Sequence, residues 1–275
     1  MRRGRLQTAE GCCLHLTQRC HDRQYLLRFA RDRRRYVARL REMSQRFAVE
    51  VLDYMVTSNH VHLLVWAGRG GAEVSAAMRF LQGAAARDYN RRKERSGSFW
   101  SDRYHPTLVE TGVHLSRCLF YVDLNMVRAG VVRHPAEWAA CGYHELAGRR
   151  QRYRVVNLPR LLWCLEMPGR EAEFRAWYQA TVDDLMRSAY RVREPVWSES
   201  VAVGSQAWVE GLASRIIVGR KAIVPLEALS GLGVAEGNGS YALRVSRRAF
   251  DPLREGVAGG APAGLAAGSM VEKRI

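Results

Sequence analysis

With 275 residues, 47% of them hydrophobic, the chain can bury one large core or two modest ones. Its formal net charge of +16 is mostly arginine, which grips phosphate with paired hydrogen bonds, so nucleic acid is the expected partner. A membrane partner is not expected: the sequence has neither an apolar run of about 18 residues nor a basic amphipathic anchor.

The start, MRRGRLQTAEG, is basic without an apolar segment, so it is not read as a secretory signal, and a cytoplasmic location is expected. Six cysteines, Cys12, Cys13, Cys20, Cys118, Cys141 and Cys164, form no Cys-x-x-Cys pair. They fit a reducing compartment rather than a zinc knuckle or a disulfide framework.

Residues 11–19 alternate as a first strand, with Cys13, His15 and Thr17 on one face. His15 is either a sheet-surface residue or, if this strand lies beside that of His60 and His62, part of their face. Residues 28–47 read as a helix with Phe29, Tyr36, Leu40 and Phe47 along its apolar stripe. Its arginines, Arg31, Arg34 and Arg35 among them, form either a solvated face or a phosphate track.

Residues 49–55 and 61–66 read as two strands, or one bent strand, around Thr57-Ser58-Asn59. Within this apolar stretch His60 and His62 are two residues apart, so both project from one face while Val61 points into a core. The pair is either a metal or catalytic site or two hydrogen-bonded strand histidines. Residues 74–91 read as a helix ending in a basic run with Arg91 and Arg92. In residues 99–109, Phe99, Trp100 and Tyr104 either stack on unpaired bases beside Arg103 or are core aromatics, and core is favoured for at least two.

Residues 111–126 read as a helix capped by Thr111 or Gly112, with Leu115, Leu119, Val122 and Met126 on its apolar stripe. Tyr121 and Asn125 lie one turn apart on one face. A tyrosine here is usually packing. Near a His-x-His strand, the phenol becomes a candidate nucleophile and the amide oxygen a candidate ligand to the same cation.

Taken together these residues resemble a known family. Asn59-His60-Val61-His62-Leu63-Leu64 resembles the His-hydrophobic-His motif of the HUH single-stranded-DNA nucleases. Tyr121-Val122-Asp123-Leu124-Asn125-Met126-Val127-Arg128-Ala129-Gly130 resembles the segment that carries the single catalytic tyrosine of REP-associated tyrosine transposases. The likeness spans about residues 6–148. One departure is visible: the family usually has Asn-Pro where this chain has Asn125-Met126.

The resemblance implies an α+β, ferredoxin-like antiparallel sheet with helices on one face, in a catalytic domain over residues 1–148. A small helical extension over 149–229, an accessory and possible DNA-binding region, and a disordered tail over 230–275 are expected to follow. It further implies Mg2+ or Mn2+ held by His60, His62 and Asn125, with Tyr121 cleaving and rejoining single-stranded DNA hairpins through a 5′-phosphotyrosine. Arg31, Arg34, Arg35, Arg91, Arg92 and Arg103 are the candidate DNA contacts, and a monomer or homodimer is expected. Two alternatives stand beside this reading: a hairpin-binding protein that does not cut, and a metal hydrolase in which Tyr121 is structural.

Overall fold

A computed structural model describes residues 10–188, 194–215, 220–226 and 240–246. The first part of the chain runs β1 (Cys12–Arg19), α1 (Ala30–Arg46), β2 (Val49–Val56), β3 (His60–Ala67), α2 (Gly71–Arg92) and β4 (His105–Val109). The strands lie side by side as β2-β3-β1-β4, and every neighbouring pair is antiparallel. This βαββαβ order with that strand arrangement is the ferredoxin-like α+β fold.

Each helix forms where the apolar spacing asks for one. In α1, Tyr36, Leu40 and Met43 are buried along one stripe; in α2, Val74, Ala77, Met78, Leu81 and Ala85 are. The helices pack on each other and against β2. Gln82 Nε2 donates to the Tyr36 hydroxyl at 3.0 Å, and Arg92 pairs with the buried Asp32. Phe99 is buried and the Trp100 indole donates to the Gln82 carbonyl at 3.1 Å, so these two aromatics belong to the core. Tyr104 is half-buried, with its hydroxyl 3.2 Å from that of Ser75.

Residues 57–59 form a turn rather than a bend within one strand. Thr57 Oγ1 accepts from the backbone N–H groups of Asn59 and His60 at 3.3 and 3.0 Å and donates to the His60 carbonyl at 2.8 Å. The register irregularity falls instead between Val51 and Asp53. On β3, Val61, Leu63 and Val65 are wholly buried. Burying each is worth about 1.5–3 kcal/mol. A one-residue slip would turn all three to the other face, so their burial fixes the register that sets out His60 and His62.

The remaining helices are α3 (Val113–Asp123), α4 (Asn125–Arg128), α5 (Tyr143–Leu146), α6 (Leu158–Cys164), α7 (Glu171–Arg187), α8 (Val196–Glu199) and α9 (Gln206–Arg215). The strands β5 (Ala202–Ser205), β6 (Arg220–Leu226) and β7 (Ser240–Ser246) extend the sheet past β4 in the order β5-β7-β6. Among the described residues only the β4–β5 pairing is parallel. The region after residue 148 therefore supplies strands as well as helices. Ser205 ends β5, and α9 starts at the next residue. Within the expected tail over 230–275, residues 240–246 form a strand, β7; residues 230–239 and 247–275 lie outside the described residues. Among the described residues no helix is long and apolar enough to cross a membrane.

Candidate active site

The pairing registers set out one face of the sheet. Thr17 faces His62, His15 faces Leu64 and Thr107, and Asp53 faces Leu64. Side chains on paired positions share a face, so His15, His62, Thr107 and Asp53 project together. Helix α3 lies over this face and brings Tyr121 against it.

The expected single helix over 111–126 is two helices. It starts after Gly112, whose φ of +69° suits glycine, and no side chain caps it. It breaks at Leu124, and α4 starts at Asn125. Met126 is thus in the first turn of a new helix, a place where proline is tolerated and methionine fits equally.

His62 is at the centre of the site. Its ring lies beside that of His15, with centroids 5.1 Å apart and planes 7° from parallel. The His15 Nε2 is 2.9 Å from His62 Nδ1, and His15 Nδ1 donates to the Trp197 carbonyl at 2.8 Å. Asn125 Nδ2 is 3.1 Å from His62 Nε2. The His60 ring is 4.9 Å from that of His62 at 75°, and its Nδ1 lies 2.9 Å from Thr57 Oγ1 and 2.8 Å from Asn59 Oδ1. Burial, then His60 and His15, holds His62 well below the usual imidazole range; burial pushes His15 down to about 4. Both are neutral at physiological pH, the state in which imidazole binds metal.

The Tyr121 ring meets His62 and His15 edge-on, each at 6.0 Å, and Trp197 of α8 at 6.1 Å. Arg128 lies over it, with Cζ 4.2 Å from the ring centre and Nη2 donating to the Tyr121 carbonyl at 2.5 Å. Arg128 Nη1 is buried with no hydrogen-bond partner among the described residues. Burial lowers its pKa, yet a guanidinium keeps its charge at neutral pH. Tyr121 is only 4% exposed.

His60, His62, Asn125 and Tyr121 are therefore gathered in one place. The sequence reading left His15 open and missed Arg128, although Arg128 stands two helical turns after Tyr121. Trp197 had no local signal, since it arrives from a distant part of the chain. Among the described residues no cluster of three His, Cys, Asp or Glu side chains is placed to hold a metal ion. A cation here would rest on two imidazoles and the Asn125 amide, a donor set that suits several divalent ions.

The candidate DNA-binding arginines are spread more widely. Arg31, Arg34 and Arg103 are exposed. Arg35 and Arg91 pair with Asp88 at 3.1 and 3.7 Å, and Arg92 is tied to Asp32.

Comparison with known proteins gives the class. Residues 8–124 match the family model described as IS200-like transposase. This part of the chain, less than half of it, is similar to that transposase family, a class of DNA-processing enzymes. The match takes in His60, His62 and Tyr121 and stops one residue before Asn125. A solved REP-associated tyrosine transposase bound to a REP hairpin is similar at 15% identity and a TM-score of 0.45, covering 57% of this chain and 93% of that one. A putative transposase from Deinococcus radiodurans R1 is similar at 18% identity and a TM-score of 0.32, covering 48% and 98%. No curated protein matches the chain.

Proposed function

We propose that the protein cleaves and rejoins single-stranded DNA at hairpin elements through a covalent bond to Tyr121. The observation that carries this reading is the meeting of Tyr121, His62, His60 and Asn125 on one sheet face, within a transposase-family domain. The net charge of +16 supports a nucleic-acid substrate, and the sequence resemblance supports a hairpin.

His60 has its Nδ1 engaged by Thr57 and Asn59, so it would offer Nε2 to a cation. His62 would use Nε2 as well, with the Asn125 amide rotated to present Oδ1. A Mg2+ or Mn2+ ion held by His60, His62 and Asn125 would supply a Lewis acid to polarise the scissile phosphate. The Tyr121 oxygen attacks phosphorus, and the bond from phosphorus to the 3′ oxygen breaks. The phenol gives up its proton and the departing 3′ oxygen takes one up. The products are a free 3′-OH and a 5′-phosphate esterified to Tyr121. The Arg128 guanidinium over its ring is the cation placed to offset charge that develops on the attacking oxygen. Arg31, Arg34 and Arg103 are the exposed candidates for contacts to the DNA backbone.

The enclosure of Tyr121 favours a second reading, metal-assisted hydrolysis in which the tyrosine only packs. The two separate on a denaturing protein gel with labelled single-stranded hairpins and Mn2+. A covalent adduct lost in both Tyr121→Phe and His60→Ala is expected. Cleavage without an adduct, surviving Tyr121→Phe, supports hydrolysis. Hairpin binding with no cleavage supports a protein that only binds.

A further inference from the structure

We infer that His15 is a positioning residue that locks the tautomer of His62, and that the segment from Glu194 to Ser200 completes the metal site by fixing His15. The inference rests on the proposed role of His62 as a ligand.

The direction of each hydrogen bond follows from its far end. The Trp197 carbonyl can only accept, so His15 Nδ1 carries the proton of that 2.8 Å bond. In a neutral imidazole the other nitrogen, Nε2, then holds a lone pair. It faces His62 Nδ1 at 2.9 Å, so His62 must donate from Nδ1. That leaves the lone pair of His62 on Nε2, the nitrogen beside Asn125. One carbonyl thus sets, through two rings, which His62 nitrogen is available to a cation. Metal-bound histidines commonly have the second nitrogen held by a carboxylate or a carbonyl. Here a second histidine is interposed, and the in-plane bond between the two nearly parallel rings fixes the orientation of His62 as well as its tautomer.

The carbonyl comes from outside the matched domain. Residues 8–124 contain His15, His60, His62 and Tyr121, but Trp197 belongs to α8. The segment is anchored to the same face by three side chains of β1 and β4. His15 binds the Trp197 carbonyl, Thr107 Oγ1 donates to those of Trp197 and Ser200 at 3.2 and 2.8 Å, and His105 Nε2 donates to that of Ser200 at 3.0 Å. The Trp197 ring, itself buried, is also one wall around Tyr121. The chain after the transposase domain is therefore part of the site and more than an appendage to it.

Two measurements test this on the full-length protein. Long-range proton–nitrogen NMR of the metal-free, 15N-labelled protein reads the tautomers directly. Protons on Nδ1 of both His15 and His62 are expected; a proton on His62 Nε2 overturns the inference. Titration with Mn2+ alone then separates positioning from packing. His15→Leu removes the acceptor and should weaken Mn2+ binding on the order of 10- to 100-fold. His15→Gln keeps a carbonyl oxygen toward His62 and an amide N–H toward Trp197, so it should bind within a few-fold of the unsubstituted protein. Equal binding in the unsubstituted protein and His15→Leu, or equal loss in both variants, overturns the relay. If His15→Leu fails to fold, the tautomers of the unsubstituted protein still decide. Absence of a DNA adduct with the expected tautomers and Mn2+ affinities would sink the covalent role of Tyr121 and leave this inference standing.

Discussion

Two buried polar clusters share one face of the sheet, and they are built on opposite terms. In the first, the ring nitrogens of His15 and His62 have partners, and those partners fix the tautomers. In the second, neither carboxyl oxygen of Asp53 has a hydrogen-bond partner among the described residues, and Asp123 has one, accepting from the Tyr178 hydroxyl. Nearby Glu145 is satisfied by Tyr54 and by the backbone N–H groups of Val155 and Val156. Burial, then Asp123 and Glu145, holds the Asp53 carboxyl well above the usual carboxylate range. A satisfied cluster can be rigid and ready for a ligand. An unsatisfied one stays neutral and weakens the fold when it is made to ionise.

The largest effects belong to the first cluster. Tyr121→Phe should remove strand transfer on the order of 10^4-fold or more, with hairpin binding unchanged, measured as adduct yield against a filter-binding curve. Arg128→Gln should reduce the rate of adduct formation by about 10²–10³-fold, the usual cost of removing one charge-stabilising donor. Arg128→Lys should rescue only part of it, because an ammonium lacks the planar fork that lies over the ring.

The second cluster governs pH-dependent stability. The Asp53 pKa is raised in the folded state, so its contribution is full below the ordinary carboxylate value and is lost as pH climbs through the raised one. Asp53→Asn should flatten that decline and raise the thermal midpoint at pH 8 by about 2–4 °C for each kcal/mol recovered. A variant that melts lower than the unsubstituted protein at pH 8 would mean the carboxylate has a partner after all. The smallest effect lies outside both clusters: Arg31→Ala with Arg34→Ala should weaken hairpin binding a few-fold. It should also lower the salt slope by about 0.7 for each lost phosphate contact. An unchanged slope would assign both arginines to solvent.

The same contrast explains what could be read from the chain alone. Local patterns carried far: the alternation around His60 and His62, the stripe of α1 and the spacing of Tyr121 and Asn125 each place residues on a face without knowledge of neighbours. The ferredoxin-like fold came from the resemblance, and the strand–helix–strand order read from the chain agreed with it. What depends on long-range contact stayed open. His15 could join the histidine face only if β1 lay beside β3, which no local pattern states. Trp197 reaches the site from far along the chain, and it does so through a backbone carbonyl, which no residue type announces. The strand β7 was hidden because its alternation is short and its flanks are rich in glycine.

The most direct test of the central claim is peptide mapping of the protein after incubation with a single-stranded hairpin and Mn2+. A nucleotide mass attached to Tyr121, released as a 5′-phosphate-bearing strand, is the expected result. Cleaved DNA with no mass on any tyrosine, or a mass on a residue other than Tyr121, would contradict it.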